Sequence, residues 1–189
     1  MKRFAIMIAL VALAASSFAQ ERQPRGKAET TINGKSVTID YGRPALKGRT
    51  IDELMNDLPE DRVWRAGENQ VTILDTKTPL KIGGTNIPAG KYSLYVYAPT
   101  EGDWSLCVNK HLGVPLKEIF AQAPPELANE PWPMLMGYDK NIKDSEVARI
   151  KMKKMNAESS DVFTIDLTND MLTMSWGGVS YGTSIEAGM

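Results

Sequence analysis

The chain has 189 residues, with 22 Lys and Arg against 23 Asp and Glu, one cysteine and one histidine. Such a charge balance argues against a general nucleic-acid binder, which neutralises phosphates with a concentrated basic face. A single cysteine excludes an intramolecular disulfide, and a lone histidine without a cysteine or histidine partner does not make a zinc site.

Lys2 and Arg3 precede an apolar run from Phe4 to Ala15, followed by Ser16, Ser17, Phe18 and Ala19. This is the pattern of a secretory signal peptide, residues 1–19, with cleavage expected after Ala19. The run is too short for the roughly 20 residues that span a bilayer, so no membrane span is expected in the mature chain. Two of the 22 basic side chains leave with the leader, so 20 face 23 acidic ones in a periplasmic or secreted protein. Residues 20–189 have the length of one domain with one buried core.

Period-two segments bounded by turn residues recur along this chain and predict antiparallel strands. Asn33-Gly34 separates Ala28 to Ile32 from Lys35 to Tyr41, a strong hairpin signal. Thr50 followed by Glu53 fits a capping box for a short helix carrying Ile51, Leu54 and Leu58 on one face, with Pro59 as its stop. Val71 to Thr76 and Leu80 to Ile82 are strand candidates. Tyr92 to Ala98 and Trp104 to Asn109 are apolar on both faces, as central strands are. Cys107 lies in the second of these and is expected to be an inert buried thiol. Pro115 to Phe120 suits a second short helix with proline at its start. Ala123 to Tyr138 is expected to be a long ordered loop. Glu146 to Lys153 reads as a strand followed by a polar connection, Asn156 to Ser160. Phe163 to Leu167 and Leu172 to Trp176 form a hairpin around Asn169-Asp170. The sum is a mainly β, single-domain antiparallel β-sandwich of about eight or nine strands with one or two short helices.

The most specific chemistry lies between Tyr41 and Leu94. Tyr41-Gly42-Arg43-Pro44, Lys47-Gly48-Arg49, Val63-Trp64-Arg65-Ala66-Gly67-Glu68-Asn69, Ile87-Pro-Ala-Gly-Lys-Tyr-Ser-Leu94 and Trp104-Ser-Leu-Cys-Val-Asn109 follow one another closely. Taken together these motifs resemble a family of secreted bacterial proteins known only as a domain of unknown function, and the resemblance covers nearly the whole mature chain. It implies a secreted β-domain and brings no established activity. One departure is visible: the family more often reads Gly-Ala-Asn-Glu after the Trp-Arg, where this chain has Gly67-Glu68-Asn69-Gln70.

Guanidinium forks pair bidentately with carboxylates, phosphates and sugar acids, which makes Arg43, Arg49 and Arg65 the first candidates for ligand contact. Glu68 and Asn69 would orient them, and Trp64 would supply an apolar wall. The competing expectation is that Asp40, Glu53 or Glu68 holds these arginines in structural ion pairs. Gly42, Gly48 and Gly67 mark positive-φ turns or close backbone approach. Trp104 and Trp176 fall on apolar faces and read as core. The sequence calls for no cofactor and no metal. His111 reads as a loop residue, and Asp139, Asn141 and Asp144 lack the glycine and terminal glutamate of a calcium loop. No Gly-x-Ser-x-Gly elbow is present.

The leading expectation is therefore a non-enzymatic module binding a small anionic or carbohydrate ligand or an envelope protein. The alternatives are a metal-independent hydrolase of glycans or esters working through Asp40, Glu68 and Asp139, and a structural module pairing through a sheet edge.

Overall fold

The computed structural model describes residues 24–134 and 137–189. The expected signal peptide, residues 1–19, lies outside the described residues. The elements run β1 (Gly26–Ile32), β2 (Lys35–Tyr41), α1 (Ile51–Asn56), β3 (Val63–Trp64), β4 (Ile73–Thr76), β5 (Leu80–Ile82), β6 (Thr85–Ile87), β7 (Gly90–Tyr97), β8 (Ser105–Asn109), β9 (Val114–Pro115), α2 (Leu116–Ile119), β10 (Pro131–Trp132), α3 (Tyr138–Asn141), β11 (Glu146–Lys151), β12 (Lys153–Leu167) and β13 (Met171–Ala187). The protein is mainly β, and its strands pair antiparallel. The thirteen strands among the described residues exceed the expected eight or nine because β3, β9 and β10 are two-residue pairings and β6 is a short polar segment.

One sheet has the order β1-β2-β4-β7-β8-β11, and a second has the order β12-β13-β5-β6. Inward residues of the first, including Val37, Ile39, Leu74, Leu94, Val96, Leu106 and Ile150, share one core with Leu80, Ile82, Phe163, Ile165, Leu172, Trp176 and Ile185 of the second. The Asn33-Gly34 hairpin forms as expected, with φ of 50° and 68° suited to the right-handed twist of its strands. The capping box also forms: Glu53 N–H donates to Thr50 Oγ1, and Thr50 N–H donates to Glu53 Oε2. These bonds from Thr50 hold the Glu53 carboxyl below its usual 4.5. The cap's contribution is thus present above that value and lost as pH falls below it, through the lowered pKa of the folded state.

Two expectations about the C-terminal third are corrected. Asn156 to Ser160 is not a connection; it belongs to β12, which bends at two register shifts while Asn156 and Ser160 pair with Val179 and Gly177. Its residues are exposed on both faces, so the alternation that announces a half-buried strand is missing. The hairpin accordingly extends well beyond Phe163 to Trp176. The preceding strand also ends sooner than expected, since Met152 separates β11 from β12.

β7 and β8 are buried on both faces, as central strands should be. On the side away from the main core, Tyr95 and Cys107 pack with Val63, Tyr138 and Ile142, so α3 and its flanks cover the outer face. Cys107 is a free, fully buried thiol, and burial pushes its pKa up to about 12.

β3 and β4 pair with the same edge of β7, β4 along Gly90 to Ser93 and β3 along Val96 and Tyr97. Between them, residues 65–72 leave the sheet beside Leu94 and Tyr95. Gly42 makes that excursion possible, because a Cβ there would overlap the Glu68 carbonyl oxygen and lie 2.5 Å from the Glu68 amide nitrogen. Gly67 reciprocates, its Cβ position being 3.0 Å from the Gly42 carbonyl oxygen. Backbone on both sides cannot yield cheaply, and overpacking typically costs 1–3 kcal/mol. Gly42→Ala is expected to lower unfolding free energy by about 2 kcal/mol. Gly178→Ala, with nothing within 4 Å of the new methyl, should leave it nearly unchanged. Urea denaturation midpoints of the two variants check the contrast.

Candidate functional site

The excursion after β3 is pinned from several sides. Thr72 Oγ1 donates to the Ala66 carbonyl at 2.9 Å, and Leu94 N–H donates to the Thr72 carbonyl at 2.9 Å. Val71 N–H donates to the Pro131 carbonyl at 3.0 Å. Arg25, which sequence reasoning did not single out, pairs with Asp40 and donates to the carbonyls of Gln70 and Val71. Two non-glycine residues flanking β3 adopt left-handed backbone, Arg62 at φ 56° and Ala66 at φ 49°. That conformation costs an L-residue roughly 1–2 kcal/mol and persists only where surrounding contacts impose it.

Alternation about β3 sends consecutive side chains to opposite faces. Trp64 turns inward, stacks on Trp176 with centroids 5.4 Å apart and meets Phe163 edge-on at 4.9 Å. Arg65 turns outward into a cavity of about 190 Å³ lined by Leu58, Pro59, Asp61, Val63, Trp64, Arg65, Tyr95, Met134, Gly137 and Tyr138. Burial pushes the Arg65 pKa down, opposed by Glu68 and Tyr95 nearby. Among the described residues no carboxylate stands within salt-bridge reach of the guanidinium, and it donates no hydrogen bond. Tyr95 is only 2% exposed, and its hydroxyl, closed off beside the Ser93 side chain, meets the geometry of a hydrogen bond with none of the described residues. Burial raises that hydroxyl to about 12, so it remains a proton donor at neutral pH.

The ion pairs that sequence reasoning weighed for the three arginines do not form among the described residues. Asp40 goes to Arg25, Glu53 closes the helix cap, and Glu68 lies near Arg65 without pairing. Arg49 is exposed and donates to the Leu46 carbonyl at 3.2 Å. Arg43 has a buried Nε without a partner among the described residues. It sits where the chain crosses from β2 to run beside β12, Phe163 N–H donating to the Pro44 carbonyl. Neither Arg43 nor Arg49 lines the cavity. Asn69 holds the turn in left-handed backbone, φ 59°. Gly42 and Gly67 serve close approach, and Gly48 a left-handed turn at φ 80°.

The cavity's far wall rests on a polar network. Asn109 Nδ2 donates to the Tyr138 hydroxyl at 3.0 Å and to the Ile142 carbonyl at 2.8 Å. Tyr138 donates to Glu146 Oε2 at 2.8 Å, and Arg149 grips both Glu146 oxygens at 2.9 and 2.8 Å. Arg149 lies 4.9 Å over the Tyr97 ring. Burial raises the Tyr138 pKa, and the bond to Glu146 raises that of Arg149. Asp61 fixes the near wall, accepting from Val63 N–H at 3.2 Å and from Asp139 N–H at 3.4 Å.

The family model described as a protein of unknown function (DUF2911) matches residues 23–185. The chain belongs to this family. Comparison with curated proteins and with solved structures gives no match. The motifs quoted from the sequence now have definite places in this member: Tyr-Gly-Arg-Pro and Trp-Arg-Ala-Gly are the two backbones in contact at Gly42 and Gly67, and the arginine of the second motif is the one in the cavity.

The two buried tyrosines at this site should respond oppositely to loss of their hydroxyls. Tyr138→Phe strips a donor from Glu146 and an acceptor from Asn109, and is expected to destabilise by roughly 1–3 kcal/mol. Tyr95→Phe removes a hydroxyl without a partner and should leave stability unchanged or raise it by about 1 kcal/mol. Thermal or urea unfolding of both variants, without added ligand, reads the sign.

Proposed function

We propose that the protein is a secreted or periplasmic, non-enzymatic binding module that takes a small anionic ligand into the cavity beside β3. The observation that carries this reading is Arg65: a half-buried guanidinium that lines the cavity and has no carboxylate partner among the described residues. A charge partly removed from water is favoured when an opposite charge joins it. Arg65 would present its fork to one carboxylate or similar oxyanion. Leu58, Val63 and Met134 would enclose the ligand's apolar part. Glu68 and Asn69 would hold the turn that aims Arg65. Export rests on the basic, apolar and small-residue order of residues 1–19.

A sugar acid fits the same donors, whereas a neutral sugar gains little from an arginine. The hydrolase alternative draws no support from the placement of its carboxylates, since Asp40 is engaged by Arg25 and Asp139 by Lys143 at 3.3 Å.

Calorimetric titration of the mature chain, Gln20 to Met189, with propionate, succinate, galacturonate, leucine and inorganic phosphate tests the reading. At least one is expected to bind, with affinity falling tenfold or more in Arg65→Gln. Binding that survives Arg65→Gln unchanged, or none by any probe, would contradict it.

A further inference from the structure

The cavity does not end at Asp61. Pro59, Asp61 and Gly137 also line an adjoining cleft of about 480 Å³, whose other lining residues are Glu60, Asp139 and Lys140. The two spaces thus meet at Asp61, and the cleft's lining holds three carboxylates, Glu60, Asp61 and Asp139, and one lysine, Lys140. Asp139 is offset by Lys143, whereas Glu60 and Asp61 have no ion pair among the described residues. Asp61 spends two of its acceptor positions on Val63 N–H and Asp139 N–H, and a carboxylate offers about four.

The site is therefore polarised. Cationic Arg65 and anionic Asp61 both line the cavity, and Glu60 lies in the adjoining cleft. The geometry points to a zwitterionic ligand, a free α-amino acid, whose carboxylate meets Arg65 and whose ammonium meets Asp61, with Glu60 adding negative charge from the cleft. This deepens the anion-binding reading and rests on it. A second anionic group on the ligand would be pushed against Glu60 and Asp61, so dicarboxylates and sugar acids with outward charge are selected against by repulsion. A cavity of about 150 Å³ holds a benzene-sized molecule. At about 190 Å³, with walls from Leu58, Val63 and Met134, this one suits an amino acid with an apolar side chain of leucine size.

Three matched probes separate the contributions: L-leucine, 4-methylpentanoate, which is leucine without its amine, and 3-methylbutylamine, which is leucine without its carboxylate. Each is titrated calorimetrically into the mature chain, the Arg65→Gln, Asp61→Asn and Glu60→Gln variants, and the parent at several salt concentrations. Leucine is expected to bind at least tenfold tighter than either truncated probe. Asp61→Asn should remove most of its advantage over 4-methylpentanoate, and Glu60→Gln should reduce that advantage two- to threefold. Glu60 makes no hydrogen bond or ion pair among the described residues, so its variant remains informative if Asp61→Asn fails to fold. Equal binding of leucine and 4-methylpentanoate, both dependent on Arg65, would overturn the zwitterion assignment and leave the anion site standing. Binding of the amine as tight as leucine's would overturn it as well. If neither leucine nor any anion binds, the assignment falls together with the anion-binding reading.

Discussion

The contact of Gly42 with the backbone of Glu68 governs the geometry of the whole site. It brings the end of β2 against the turn that interrupts the β3 to β4 edge, with no side chain between the two main chains. Because the turn cannot move outward, β3 stays paired with β7, and its alternation is fixed: Val63 and Arg65 outward, Trp64 inward. A one-residue slip would exchange the tryptophan and the arginine, putting a guanidinium into the core beside Phe163. The stacking of Trp64 on Trp176 and the edge contact with Phe163 oppose that slip from inside. Arg65 is thus held at its cavity by packing elsewhere, without an ion pair of its own.

Two polar groupings share the outer face of this sheet, and their difference is informative. Asn109, Tyr138, Glu146 and Arg149 satisfy one another through bonds of 2.8 to 3.0 Å and tie α3 to β8 and β11. Arg65 has no hydrogen bond or ion pair among the described residues. A completed network beside an arginine left open on a cavity is the arrangement the proposed binding site requires. Preorganised donors of this kind gain affinity because little ordering is left to the moment of binding. Left-handed Arg62 and Ala66 on either side of β3 are strained positions maintained for that same segment.

Much of the architecture was legible because its signals are local. Asn33-Gly34, the Thr50 to Glu53 box and the two-sided apolarity of β7 and β8 each involve neighbours in sequence, and all appear in the structure. The polar half of β12 was misjudged because both of its faces meet solvent, and β6 escaped notice because Thr85 and Asn86 are polar and exposed. Arg65 could be picked out by its motif. Tyr95 could not, since a tyrosine on the second face of a central strand looks like ordinary packing until its hydroxyl is found without a partner. Asp61 and Glu60 carried no signal at all, and the Asn109 to Arg149 network joins residues far apart in the chain. Arg43 and Arg49 shared the motif-borne signal of Arg65, but the crossing from β2 to β12 carries them away from the cavity.

The claim at the centre of this account is that Arg65 is held half-buried for a ligand and contributes nothing to the fold. The most direct test is the stability of Arg65→Met in the absence of any added compound, by urea denaturation beside the parent protein. Methionine keeps the apolar stem and removes the charge. The account predicts unfolding free energy equal to or above that of the parent, since an uncompensated desolvation cost has been removed. A loss of about 3 kcal/mol or more, the usual result of breaking a buried pair, would show that Arg65 is part of the scaffold and would contradict the account.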